Sequence, residues 1–244
     1  MLDWMFRPQC AACTAPESPI CETCATALVE LGPACPRCAE PTGEEAIVCA
    51  RCRRAPLPLE RIVSPWRFGG PLAQAIRRLK FAGASHIART LAPLWAPLIA
   101  AAAGVPPGPA AADEDIPAGV PGPAAIVVPI PLHWRRRWTR GYDHAWLLAL
   151  HACASAELPR PTPALRRIKH AAAQSTLTAA ERAANLDGAF GVVDRYRGVI
   201  AGREVILVDD VVTTGATFSA ATRVLLAAGA RAVTGVALAR SSSQ

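Results

Sequence analysis

The sequence predicts an α/β fold built on a parallel sheet, preceded by a small module held together by metal. Three observations predict it. Residues 126–130 (Ile-Val-Val-Pro-Ile) and 204–208 (Glu-Val-Ile-Leu-Val) are short apolar runs, each followed by a polar stretch and then a helical one. Continuous apolar runs of this length suit strands covered on both faces, as parallel strands with crossover helices are. Eight of the nine cysteines fall within residues 10–52. The second apolar run ends in two acidic residues and a Thr-Thr-Gly turn that opens a helix.

Size and composition bound the alternatives. The chain has 244 residues, 52% hydrophobic and 18% charged, so it can bury a sizeable core and is not a disordered chain. No run of 18 clean apolar residues occurs, so no membrane span is expected. Met1-Leu2-Asp3-Trp4 shows no basic segment leading into an apolar one. No signal peptide is therefore expected, and a cytoplasmic location is.

The four Cys-x-x-Cys pairs are Cys10/Cys13, Cys21/Cys24, Cys35/Cys38 and Cys49/Cys52. Such a turn aims two sulfurs at one ion, and two turns complete a tetrahedral site of four thiolates. Eight thiols therefore imply two structural Zn2+ ions, with adjacent pairs sharing an ion as the expected arrangement. Both sites are closed and offer no open coordination position. Cys153 stands alone in an apolar helical stretch and reads as a small buried hydrophobe.

Charge divides along the chain. Residues 1–52 carry three Arg and seven Asp/Glu, a formal −4; residues 53–244 carry 23 Lys/Arg and 12 Asp/Glu, a formal +11. An anionic partner suits the second part. The acidic ribbon is a poor phosphate binder, so a protein-contact or bracing role fits it better. The expected division is a double ribbon over 1–56 and a main domain over 60–241, with 53–59 as linker. Residues 104–124, holding six Pro and four Gly, read as an exposed insert.

In the main domain, residues 60–68 are expected to be a strand. Residues 71–101 read as helical, with breaks at Pro93 and Pro97. Residues 126–130 form a strand, followed by an Arg-rich loop and a helix from about 142 to 156. Residues 162–190 form a basic segment with a short helix near 178–185. Strand 204–208, helix 217–228 closed by Gly229, and strand 231–239 complete the sheet.

The richest stretch is Val205-Ile-Leu-Val-Asp-Asp-Val-Val-Thr-Thr-Gly-Ala-Thr217. Acids at the C-terminal end of a buried strand sit where α/β proteins place ligands. Gly215 permits a tight turn, and successive N–H groups at the helix start face one anion. The acids suit sugar hydroxyls or a nearby Mg2+ ion. Lys80, one of two lysines, could reach phosphates as a point charge.

This stretch resembles the signature of type I phosphoribosyltransferases at every position. The resemblance implies that Asp209 and Asp210 are the catalytic pair, bracketing the ribose hydroxyls of phosphoribosyl pyrophosphate. It also implies that Val211, Thr213, Thr214, Gly215, Ala216 and Thr217 complete the ribose 5-phosphate site. Pro129-Ile-Pro-Leu-His133, then Arg135, Arg136 and Arg140-Gly-Tyr, resembles a block of the ComF-type competence proteins. Asp143-His144 stands where that family carries Asn-Gln. Arg167 with Gln174 matches a later block, with Ala in place of an expected Thr; Arg182 with Asn185, the stretch from Trp66 to Phe81 and the double zinc ribbon match as well.

The family implies a pyrophosphate loop over residues 131–137, with the Leu132 and His133 amides, Arg135, Arg136 and Lys80 against the pyrophosphate, and Arg137 as a further candidate. It implies a hood carrying Arg167, Lys169, Gln174 and Arg182. Three functions follow from these resemblances. One is an enzyme that binds Mg2+-phosphoribosyl pyrophosphate and transfers the phosphoribosyl group to an acceptor. Another is a regulator that binds the same ligand without turnover. The last is a factor in DNA uptake whose partners are single-stranded DNA or uptake proteins. Trp134, Trp138 and Tyr142, interleaved with arginines, suit stacking on single strands as well as ordinary helix packing.

Overall fold

The computed structural model describes residues 9–16, 18–105, 125–168, 186 and 188–242, and the helical backbone alone of residues 134–136. Two similar knuckle-and-helix units open the chain. Isolated bridges Gln9↔Pro16 and Ala34↔Pro41 close the first knuckle of each. The second Cys-x-x-Cys of each starts a single helical turn, α1 (Glu22–Thr26) and α2 (Ala50–Arg54).

Strands β1 (Arg61–Val63) and β2 (Trp66–Arg67) come next, followed by α3 (Gly70–Phe81), α4 (Ile87–Leu91), a 3-10 turn (Ala92–Leu94) and α5 (Ala96–Ala102). Strand β3 (Ala125–Pro129) leads to α6 (Trp134–Arg140) and α7 (His144–Ser155). A two-stranded antiparallel hairpin joins β4 (Leu165–Arg167) to β5 (Phe190–Val192). After a 3-10 turn (Asp194–Tyr196) come α8 (Arg197–Ile200), β6 (Glu204–Val212), α9 (Ala216–Ala227) and β7 (Ala232–Arg240).

The main sheet runs β1-β7-β6-β3, with β2 also on β7, and every pairing is parallel. Its residues alternate between two cores, as a pleat requires. Ile206, Val208, Val236 and Leu238 pack with α3, α4, α5 and α7, while Val205, Leu207, Val233 and Ala237 pack with α9 and the hairpin. Both faces are covered, which explains the unbroken apolar runs.

The ribbon covers the outer edge of this sheet. Glu30 bridges Trp66, the Leu31 amide donates to the Pro65 carbonyl and the Arg67 amide to the Val29 carbonyl. The second unit has little core of its own: Cys35, Cys38 and Cys52, with Val48, Cys49 and Leu57 against them. A fully buried aliphatic side chain stabilises by about 1.5–3 kcal/mol. Ordering residues 33–54 costs about 1–2 kcal/mol each, so metal has to supply the difference.

Several boundaries differ from the sequence expectation. The strand expected over 60–68 is broken at Ser64-Pro65, since proline lacks the N–H that the ladder would use. The helical stretch 71–101 also breaks at residues 82–86, where Gly83 takes φ +66°. The Arg-rich stretch expected as loop is the helix α6, closed by Arg137 N–H to His133 and Gly141 N–H to Arg137. Within the expected loop, residues 131–133 and Gly141 are non-helical. Strand β6 extends through both acids to Val212, because Asp209, Val211 and Val212 find partners at Ala237, Ala239 and Arg240 of β7. Hairpin β4–β5 was not expected. The helix near 178–185 and nearly all of insert 104–124 lie outside the described residues.

Candidate functional site

The cysteines assemble in chain order. Cys10, Cys13, Cys21 and Cys24 form one quartet, and Cys35, Cys38, Cys49 and Cys52 the other, with all sulfurs of each within 4.8 Å of one another. Cys13 and Cys21 sulfurs are 3.6 Å apart, and those of Cys38 and Cys49 are 3.7 Å apart. A tetrahedron with about 2.3 Å Zn–S bonds has edges of about 3.8 Å, so both quartets fit structural zinc. Burial works against the Cys10 thiolate. The amides of Cys21, Cys13 and Ala12 outweigh it and bring the thiol down to about 6, and the corresponding amides at Cys35 bring that thiol to about 7. One anionic sulfur per quartet is thus prepared for a cation. All nine cysteines are free thiols, and Cys153 is buried, its thiol pushed up to about 12 by burial.

The first quartet is seated on α3. Cys10, Ala11 and Cys24 share a core with Leu72 and Ala75, and the Arg78 guanidinium donates to the Cys10 and Ala11 carbonyls at 2.7 and 2.9 Å.

The candidate phosphate site lies at the C-terminal end of β6. Gly215 takes φ +80°, a left-handed conformation suited to glycine, and caps the start of α9. The Ala216 amide donates to Thr214 Oγ1 at 3.3 Å, and the Ser219 amide to the Gly215 carbonyl. Thr213 is exposed and Thr214, Ala216 and Thr217 are half-buried at this helix start. The result is a compact turn at the positive end of a three-turn helix.

Asp210 shares the face of Val208, where α3 and α7 lie. It is 3% exposed. Lys80 from α3 forms an ion pair with its Oδ2, and His144 Nε2 from α7 lies 3.5 Å from the same oxygen. Arg140 Nη1 in turn lies 3.3 Å from His144 Nδ1. Burial opposes ionisation of Asp210, but Lys80 and His144 overcome it and hold the carboxyl below the usual carboxylate range. Asp209 goes the other way: burial and the adjacent Asp210 raise it well above that range. The carboxylates and the His144 ring lie within 4.8 Å of one another. The two acids are therefore unequal, one a fixed anion and one poised to accept a proton.

The turn between α6 and α7 grips the end of α3. Tyr142 Oη donates to the Leu79 carbonyl, and Arg140 stacks on Phe81, 4.7 Å from its ring centre. Asp143 caps α7 through Oδ1, which accepts from the Ala145 and Trp146 amides. Its Oδ2 accepts from the Leu132 amide at 3.1 Å. That N–H, expected toward pyrophosphate, is thus engaged by the helix cap. Both Asn and Asp can cap a helix, which accounts for the family difference at residue 143.

His133 is buried and bridges Arg167 of β4, so the loop after β3 and the two-stranded sheet meet there. Arg135 and Arg136 lie on the α6 backbone rather than on a loop. Gln174, Arg182 and Lys169 lie outside the described residues. Sequence reasoning gave His144 no role, noting only that Asp143-His144 stands where the family carries Asn-Gln. A cavity of about 570 Å³ opens beside the end of β3, lined by Pro129, Pro131, Tyr142, Asp143, Trp146 and Arg195 among others.

A doubly covered parallel sheet, an acid pair at its strand end and a glycine turn at a helix start define a phosphoribosyltransferase-type domain, here carrying two four-cysteine units. The double zinc ribbon domain family matches residues 1–53, and the phosphoribosyl transferase domain family matches residues 152–244. The chain is 34% identical over 114 residues to Competence protein F of Haemophilus influenzae, spanning about half of each protein (47% of this chain, 49% of the relative). It is 33% identical over 178 residues to the DNA utilization protein YhgH of Escherichia coli strain K12, covering 73% of this chain and 71% of the relative. The Salmonella typhi protein of the same name is 32% identical over the same length and coverage. The chain belongs to the ComF-type competence protein family. No helix among the described residues is long and apolar enough to cross a membrane.

Proposed function

We propose that the protein binds Mg2+-phosphoribosyl pyrophosphate and transfers its 5-phosphoribosyl group to an acceptor, in the service of DNA uptake or DNA utilization. The observation that carries the reading is the unequal acid pair Asp209–Asp210 leading directly into the Gly215 turn at the start of α9. The 5-phosphate sits on the amides and hydroxyls of residues 213–217, and the acids receive the ribose hydroxyls. Asp210 is already matched by Lys80, so its charge is fixed in place; Asp209, pushed upward by burial and by Asp210, is the adaptable partner. Asp209 and Asp210 lie where they could face Mg2+ carried in with the ligand, which would supply charge neutralisation at the leaving pyrophosphate. In the transfer, the C1–O bond to pyrophosphate breaks, the acceptor–C1 bond forms and the acceptor gives up a proton. The Asp210 carboxylate stabilises positive charge developing on the ribose.

The link to DNA rests on the names of the relatives, Competence protein F and DNA utilization protein. A reduced cytoplasm suits eight zinc-binding thiols. The ribbon is proposed to span 1–56 and the main domain 60–241, with Arg135 and Arg136 toward the pyrophosphate, Lys80 held on Asp210 instead, and Arg167, Gln174 and Arg182 in the hood.

Calorimetric titration of phosphoribosyl pyrophosphate with Mg2+ tests the binding. Heat is expected with the wild type and none with Asp209→Asn/Asp210→Asn; no heat with either overturns the reading. Pyrophosphate released in the presence of nucleobases distinguishes a transferase from a binding regulator.

A second reading is favoured by one surface. Trp138 is 85% exposed and Phe81 75% exposed, with Arg140 stacked on the latter. Exposed aromatics among arginines suit stacked bases of single-stranded DNA. Affinity for an oligonucleotide should then fall steeply with salt and weaken in Trp138→Ala. Salt-insensitive or undetectable binding sinks this reading.

A further inference from the structure

The second zinc unit is built into the underside of the Gly215 turn. A Cβ placed on Gly215 would lie 3.3 Å from Leu57 Cδ1 and 3.2 Å from Ile62 Cδ1. Leu57 packs at the same time against the cluster of Cys35, Cys38 and Cys52. Ile62 is fastened to that unit by its backbone, its amide donating to the Arg37 carbonyl between Cys35 and Cys38 at 3.0 Å. One leucine and one hydrogen-bonded strand thus separate the metal thiolates from the turn.

A polar route runs alongside. The Arg51 guanidinium donates to Cys38 Sγ at 3.3 Å and lies 3.6 Å from Glu40 Oε2. The same Glu40 oxygen pairs with Arg240, which is 1% exposed. Arg240 is the register partner of Val212, the residue before Thr213, and the next amide, Ser241, donates to the Val212 carbonyl at 2.9 Å. Both routes end at the two sides of residues 213–215. The first quartet has no such connection among the described residues; its anchor is α3 through Arg78.

We infer that zinc in the second quartet positions the phosphate turn, with Leu57 and the Arg51–Glu40–Arg240 relay as the positioning residues, so that metal and sugar-phosphate stabilise each other. Linkage makes the effect reciprocal: if zinc orders the turn for ligand, ligand must tighten zinc binding by the same factor. The ligand half of this inference rests on the proposed function; the structural half does not.

Two measurements on the full-length zinc-loaded chain test it. The first needs no ligand. Hydrogen exchange at residues 213–217 should quicken about 5-fold or more in Leu57→Ala and in Glu40→Gln, with two zinc ions retained and exchange across α7 unchanged. Leu57→Val, a milder trim, should move the same amides less. Unchanged exchange at 213–217 in the folded variants overturns the inference. In the second, zinc is partitioned to equilibrium against a colorimetric chelator with and without ribose 5-phosphate and Mg2+. One of the two zinc ions should be held about 5-fold more tightly or better, and Leu57→Ala should erase the difference. Calorimetric heat with both zinc affinities unchanged overturns the inference. Absence of heat sinks the proposed function instead, and the exchange measurement still decides the coupling.

Discussion

Lys80 and Asp210 form an ion pair between the last turn of α3 and the end of β6, 130 positions apart in the chain. It fixes the negative charge of one acid of the signature from a helix that the first zinc unit holds in place. Asp210's folded pKa lies below the ordinary carboxylate range. Its stabilisation is therefore present above the unfolded value of about 3.9 and lost as pH falls through the folded one. Lys80→Met should cost about 3 kcal/mol at pH 7, at the low end for breaking a buried pair because His144 remains. The acid limb of stability should move to higher pH. Urea midpoints between pH 3 and 8 check both.

Asp209 carries the opposite sign. Its raised folded pKa means that stability is lost as pH rises from the unfolded value through the folded one. Asp209→Asn should remove that loss and raise the melting temperature at pH 7–8 by about 2–4 °C, as expected for about 1 kcal/mol. The same change should abolish sugar-phosphate binding. Melting curves of both proteins should converge near pH 4.

Gly215→Ala should destabilise by about 2 kcal/mol. A left-handed alanine costs about 1–2 kcal/mol, and Leu57 and Ile62 must also give way to the new methyl. Thermal scans should show a drop of about 4–8 °C.

Metal analysis should find two zinc ions per chain, and one in Cys13→Ser. Structural zinc is worth about 10–16 kcal/mol apparent in isolated finger peptides. Because Arg78 ties the first unit to α3, chelation should lower the unfolding temperature of the whole chain in one calorimetric transition. A separate low-temperature melt confined to the ribbon would contradict the packing described.

The metal units and the stretch from β6 into α9 were legible because each is local: sulfurs two residues apart, or a strand, a turn and a helix in thirteen consecutive residues. What escaped was of two kinds. Helix α6 is rich in arginine and its only apolar pair, Trp134 and Trp138, reads equally as a stacking platform, so the stretch reads as loop, although its backbone bonds are helical. Likewise Asp209 and Asp210 look like the end of a strand, because acids are poor strand formers, and only pairing with β7 carries β6 past them. The second kind is distance. Lys80, His144 and Asp210 meet from three separate elements, and no spacing along the chain announces that. The same holds for Leu57, which reads as a linker residue and packs on both metal unit and main core.

The backbone bonds from Val29 and Leu31 to Pro65 and Arg67 carry a lesson for heredity. A reading frame that lost its first sixty codons would yield a sheet with a bare outer strand, open to pairing with its neighbours. The two halves look like parts that recombination could trade freely. The shared edge couples them physically: without the cysteine units, something else has to cover that strand.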